Sequence, residues 1–179
     1  RKSSLSIEFH VFLPKELSGD RVICQKVSSD KNYGFTIGVK DDGTSRAKLV
    51  YMIVSGRSVL NTEMSINKGR FEHVAAVLNR EENRNKIALY RNAKLITTSS
   101  ERADFGNFGS SFRSSNFLIG SGSTVLTSSH SGKQYFVPGA TLSGSVDEFR
   151  VHHKTLNIDE IRLNHLREID QNNDLALYF

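Results

Sequence analysis

An all-β antiparallel sandwich closed by one short C-terminal α-helix is the fold class this sequence predicts, on three observations. Short runs of alternating apolar and polar residues recur along most of the chain. Clusters of turn-forming residues separate them, and no helical pattern lies between the runs to make them parallel. With 179 residues the chain suits one domain, long enough to bury roughly 70% of the surface of its unfolded form. Hydrophobic residues make up 37% and charged residues 24%. No apolar run approaches the roughly 20 residues that cross a bilayer, so membrane insertion is not expected.

The first run, "LSIEFHVFL" (5–13), sets Leu5, Ile7, Phe9, Val11 and Leu13 on one face and Ser6, Glu8, His10 and Phe12 on the other. That is a strand with one buried and one solvated face. In "RVICQKV" (21–27) alternation puts Cys24 on the face of Val22. Strands of the same style follow at "GFTIGVK" (34–40), "KLVYMIV" (48–54), "FEHVAAVLN" (71–79), "KIALYRN" (86–92), "NFLIG" (116–120) and "GSVDEFRVHH" (144–153). The turns fall at "LSGD", "SSDKN", "KDDGTS", "NKG", "REENRN" and "SGKQ". From Asn157 the period changes. Ile158, Ile161, Leu166 and Ile169 fall at helical spacing, Asn157 and Glu160 form an Asn-x-x-Glu cap, and Asp159 and Glu160 suit the positive end of the helix dipole. Residues 1–170 are expected to form the domain. Residues 171–179, ending in the strand-like "LALYF", are read as a linker or the start of the next unit of a larger protein.

The order of these pieces carries a resemblance. "LSIEFHVFLP", "GDRVICQK", "YGFTIGVKDDG", "KGRFEHVAAVLN", "KIALYRNAKLI", "FLIGSG" and "LSGSVDEFRVHHKTLNIDEI" together resemble, nearly end to end, a laminin G-like domain of the concanavalin A-like superfamily. The resemblance implies a jelly-roll of two curved sheets, a groove on the concave side and ligand loops at its rim. Three residues depart from the family's usual motifs: Phe71 stands for tryptophan, Ala93 for the glycine after Asn92, and His152 for tyrosine. Phe71 is expected to fill the core site. Ala93 implies a turn in which Asn92, rather than its neighbour, takes the positive φ.

Most chemistry is then excluded. The single Cys24 cannot form an internal disulfide and is read as a small buried residue. The net charge of +5 comes from 24 Lys and Arg against 19 Asp and Glu. The cations are scattered and not interleaved with aromatics, which disfavours nucleic acid as a partner. Asp147 and Glu148 are adjacent on a strand, point to opposite faces, and cannot flank one substrate bond. Asp147 has two readings: a carboxylate accepting backbone N–H groups of a neighbouring turn, or a ligand of a structural Ca2+, as the resemblance to related sandwiches implies. Glycanases of the superfamily carry Glu-x-Asp-x-x-Glu on a strand. "EIDQNN" (168–173) lacks the second glutamate and follows a helix, so a glycoside hydrolase is only a minor alternative. His152 and His153 are consecutive, so they cannot chelate one metal from the same face, and His73 is read as structural. No Gly-x-Ser-x-Gly, His-Glu-x-x-His, phosphate-loop or EF-hand spacing occurs, and the chain is read as non-enzymatic.

Two long loops, 101–116 and 121–141, carry Phe105, Phe108, Phe112, Tyr135 and Phe136. These rings either plug the ends of the sandwich or meet a partner. With no tryptophan in the chain, the ligand-binding candidates are Tyr51, Tyr90 and Tyr135 as platforms and Arg91, Arg113 and His130 as polar partners. The functional expectation is a recognition or adhesion module binding glycan or protein on an extracellular, cell or virion surface. The alternative is a structural module of a virion or tail protein, packing against neighbouring subunits.

Overall fold

Pairing of the alternating strands produces two sheets in the computed structural model, which describes residues 4–30, 32–56, 58–80, 85–101, 108, 110–123, 140–167 and 174–179. In chain order the elements are β1 (Leu5–Phe12), β2 (Arg21–Val27), β3 (Tyr33–Asp41), β4 (Arg46–Ser55), β5 (Ser58–Asn67), β6 (Phe71–Asn79), β7 (Asn85–Arg91), β8 (Lys94–Glu101), α1 (Ser110–Arg113), β9 (Phe117–Ile119), β10 (Ala140–Thr141), β11 (Ser145–His152), α2 (Ile158–His165) and β12 (Leu175–Tyr178). The first sheet runs β12-β11-β1-β6-β7-β8 and the second β10-β2-β3-β4-β5, with β9 also paired to β2. The fold is the antiparallel jelly-roll sandwich with a short C-terminal helix, and among the described strands only β10 pairs in parallel.

The core lies between the sheets. Ile7, Phe9 and Val11 of β1 and Val74, Ala76 and Leu78 of β6 meet Ile37, Leu49 and Ile53 of the second sheet. Burying each of these side chains larger than alanine stabilises the fold by roughly 1.5–3 kcal/mol. β1 pairs with β11 from Ser6↔His152 to Phe12↔Ser145, which ties the first and last long strands together.

The outer faces depart from simple alternation. The second face of β1 is not solvated: Ser6 and Glu8 are fully buried. α2 and the segment before it cross this face. Ser6 Oγ donates to Lys154 O (2.7 Å) and accepts from Leu156 N–H (3.0 Å). A bulge between Val22 and Cys24 puts the two on opposite faces, so Cys24 enters the core while Val22 joins an outer cluster with Val50, Met52 and Val54. Burial pushes the Cys24 thiol up, away from the reactive thiolate. That outer cluster is at most 2% exposed. Residues 122–123 lie against this face, held by Gln25, whose amide donates to Thr36 Oγ1 (3.0 Å) and Ser123 O (2.9 Å).

Other expectations are corrected at single positions. Phe71 is 53% exposed rather than in the core, because odd-numbered residues of β6 face outward, and its ring meets that of Phe12 there, with centroids 5.5 Å apart. Both Asn92 (φ 49) and Ala93 (φ 58) adopt positive φ, so alanine occupies the strained position itself. The cap of α2 is as read: Asn157 accepts from Asp159 and Glu160 N–H while Glu160 accepts from Asn157 N–H. Leu166, however, lies past the last helical turn and is 80% exposed, and Ile169 lies outside the described residues. Leu175–Tyr178, expected beyond the domain, adds β12 to the edge of the first sheet through Arg150↔Tyr178 and Val151↔Leu177.

Candidate functional site

A cavity of about 630 Å3 opens between the sheets at the end where β1 begins and β6 finishes. Inward-facing residues form its floor: Leu5, Leu78 and Val151 from the first sheet and Phe35 and Ile53 from the second. Its wall comes from the first long loop. Phe108 and Phe112 pack ring on ring at 4.8 Å and rest on the core, while Phe117 lies 6.0 Å from Phe35. Of the two readings for the loop aromatics, these follow the first and fold back on the sandwich; Phe105, Tyr135 and Phe136 lie outside the described residues.

The charge of this cavity has one sign. Lys26, Arg80 and Arg113 line it beside the imidazole of His153, and no carboxylate does among the described residues. Lys26 Nζ stands 5.1 Å from the Phe112 centroid and donates to Ser115 O. The Arg80 guanidinium stacks 5.1 Å over Phe108. Burial draws the Lys26 ammonium below its ordinary value. Cations beside low-dielectric aromatic walls focus a positive potential on the mouth.

Of the expected ligand residues that are described, only Arg113 lies here. Tyr51 is fully buried in the core, on the inner face of β4, and cannot serve as a surface platform. Tyr90 packs half-buried on the outer face of the first sheet, beside Ala75, Leu156 and Ile161. Arg91 donates to Ser65 O (2.6 Å) and approaches buried Glu72 (3.7 Å). It pairs with Val74, six residues up β6 from Arg80, roughly 20 Å from the cavity. His130 and Tyr135 lie outside the described residues. Sequence reasoning missed Lys26, Arg80 and His153, which sit at or next to strand ends; the signal was the Phe-rich loop facing them.

Asp147 and Glu148 separate for a reason other than alternation. Two residues, Glu148 and Phe149, oppose Phe9 alone, a bulge with Glu148 at φ 52. Asp147 is exposed and accepts the N–H of Glu148 (2.9 Å). A calcium ion wants six to eight oxygens, and no three metal-ligating side chains gather among the described residues. A calcium ion held at Asp147 would draw most of its oxygens from backbone carbonyls. "EIDQNN" lies outside the described residues.

A second polar assembly lies under α2. Glu8 Oε2 accepts from Asn164 Nδ2 (2.7 Å) and stands 3.3 Å from His152 Nε2, while Oε1 is 3.5 Å from His73 Nε2. Burial alone would raise its pKa; His152, His73 and Asn164 outweigh this and hold it at about 2. His10, His73 and His165 crowd together with centroids 4.7–5.7 Å apart. Burial and the neighbouring rings hold His10 and His165 below the ordinary histidine value. Arg150, 1% exposed, donates to the helix-end carbonyls of Asn164 and Arg167, both at 2.7 Å, and pairs with Glu148. Tyr178 OH also donates to Glu148 (2.7 Å). These groups dock α2 onto the sheet.

Two facing antiparallel sheets with a ligand-sized cavity between them define a β-sandwich of the lectin type. The chain belongs to the concanavalin A-like lectin/glucanases superfamily, matching its laminin G type over residues 1–162. No curated protein matches it. Among solved structures, a candidate carbohydrate binding protein from Bacteroides ovatus is 16% identical with a TM-score of 0.64, over 99% of this chain and 45% of that one. The sialidase module CBM40 of Ruminococcus gnavus, bound to α2,3-sialyllactose, is also 16% identical, with a TM-score of 0.60 over 90% of this chain and 82% of that one. The binding domain of botulinum neurotoxin serotype D/C gives 16% and 0.58, over 91% and 36%. The chain thus spans less than half the length of the first and third of these chains.

Proposed function

We propose that this chain is a non-enzymatic binding module that holds an acidic ligand, foremost a glycan displayed on a surface outside the cell, at the end cavity. The observation that carries the reading is the cavity itself: ligand-sized, aromatic-walled and lined by three basic side chains and a histidine without a described carboxylate. A sandwich of the same fold bound to a sialylated sugar supports an acidic glycan. The test is a glycan array on this domain. Acidic glycans should bind ahead of neutral ones, Arg113→Ala should weaken them about tenfold, and Tyr90→Ala, on another face, should leave them unchanged. Equal binding of neutral glycans, or indifference to Arg113→Ala, refutes this site.

A structural role in an assembly is the second reading, favoured by Leu163 and Leu166, 51% and 80% exposed at the end of α2. Silence across the array, together with self-association lost in Leu166→Glu, would put it ahead.

A further inference from the structure

The polarity of the cavity changes with depth. Phe35 and Leu78 at the floor are buried, whereas Arg113 and His153 are exposed. Two deeper polar groups are already engaged: Lys26 Nζ donates to Ser115 O, and Ser4 Oγ accepts the backbone N–H of Arg80. A sugar ring pushed inward would strand its hydroxyls against phenylalanine and leucine, because a buried polar group without a partner is disfavoured. An apolar group would meet complementary walls. A negative group left at the mouth would remain near water and face Arg113 and His153.

We infer that the occupant of this cavity is an amphipathic anion: a carboxylate at the cationic mouth joined to an acyl or aryl body seated between Leu5, Phe35, Leu78, Phe112 and Leu177. The inference rests on the reading that the end cavity holds an acidic ligand, and it departs from the glycan named there by making the body behind the acidic group apolar. The volume, about 630 Å3, lies within the range of roughly 300–1,000 Å3 typical of small-molecule pockets. Charge selects the head and the walls select the tail. A purely apolar ligand would leave the exposed Arg113 at the mouth without a counter-charge, and a purely polar one would leave the floor empty.

The probes are decanoate, decanol, decyltrimethylammonium and α2,3-sialyllactose, titrated calorimetrically into this domain. Decanoate should bind one per chain, at least tenfold tighter than decanol, while decyltrimethylammonium gives no binding. Arg113→Glu, an exposed change, should weaken decanoate at least tenfold. Ala176→Trp puts a bulky ring on an exposed lining position of β12 and should abolish binding while the melting temperature holds. Sialyllactose binding that Ala176→Trp removes, with no decanoate binding, overturns the inference and leaves the cavity reading standing. Decanoate binding unaffected by both variants, or equal binding of decanol, overturns the inference. No binding by any probe overturns both. Should Ala176→Trp fail to fold, Arg113→Glu and the decanol comparison decide the matter.

Discussion

Ala93 holds φ 58 directly after Asn92 at φ 49, in a two-residue turn between Arg91 and Lys94. Left-handed backbone costs a β-carbon residue about 1–2 kcal/mol, so Ala93→Gly should stabilise the domain by about 1 kcal/mol in chemical denaturation. A loss of stability would contradict this geometry. Arg150 behaves oppositely, because three oxygens depend on its buried guanidinium. Arg150→Ala should cost about 3–5 kcal/mol, as when a buried charged partner is removed. Phe71→Ala, by contrast, should cost less than about 1.5 kcal/mol, since an exposed ring loses little beyond one aromatic contact. A larger loss would put Phe71 back in the core. At Asp147 chelation is the measurement: EDTA should leave the melting temperature where it is, because the carboxylate meets one N–H and no second acid among the described residues. At this scale the sequence showed residue types correctly and their surroundings poorly. Glu8 reads as a solvent-facing residue on an alternating strand, and nothing local says that a helix more than a hundred residues later covers it.

α2 shows the same division within one element. Its cap and boundaries were legible, because Asn157 and Glu160 act within one turn. Its docking surface was not, because Glu8, His73 and Arg150 come from three strands. That surface makes the helix pH-sensitive. His10 and His165 have folded pKa values below the ordinary 6.5, so below that pH the unfolded chain binds more protons than the folded one. Stability contributed by the neutral rings is present above that range and is lost as pH falls through it. Arg150, with its fixed charge beside His10, adds to the repulsion, while Glu148 and Glu8 oppose it. Glu8 itself, held at about 2 against 4.5, contributes stability that disappears as pH falls from 4.5 towards 2. The melting temperature should therefore drop between pH 7 and pH 5, then more steeply below 4.5. His165→Asn should flatten the first step; an unchanged first step would remove these histidines from the account.

For the whole molecule, the positive mouth of the end cavity and the net charge of +5 act together on association. Binding of an acidic ligand should weaken as salt shortens the screening length from about 10 Å at 0.1 M to about 3 Å at 1 M. Affinity independent of salt would argue that the cations do not face the ligand. By itself the sequence determined the sandwich class, most of its strands, the capped helix and the superfamily, because period-two alternation, turn residues and caps act over a few neighbours and their order is read directly. It did not show β5, whose buried positions Leu60, Thr62, Met64 and Ile66 alternate with polar residues, and it read "LALYF" as strand-like without showing that β11 would supply its partner. Tertiary structure alone decided that Tyr51 is core, that the Glu8 face lies under α2, and that Lys26, Arg80, Arg113 and His153 share one cavity. Those facts depend on which distant strands lie side by side and where bulges shift their faces. Such long-range pairing leaves no local period in the chain.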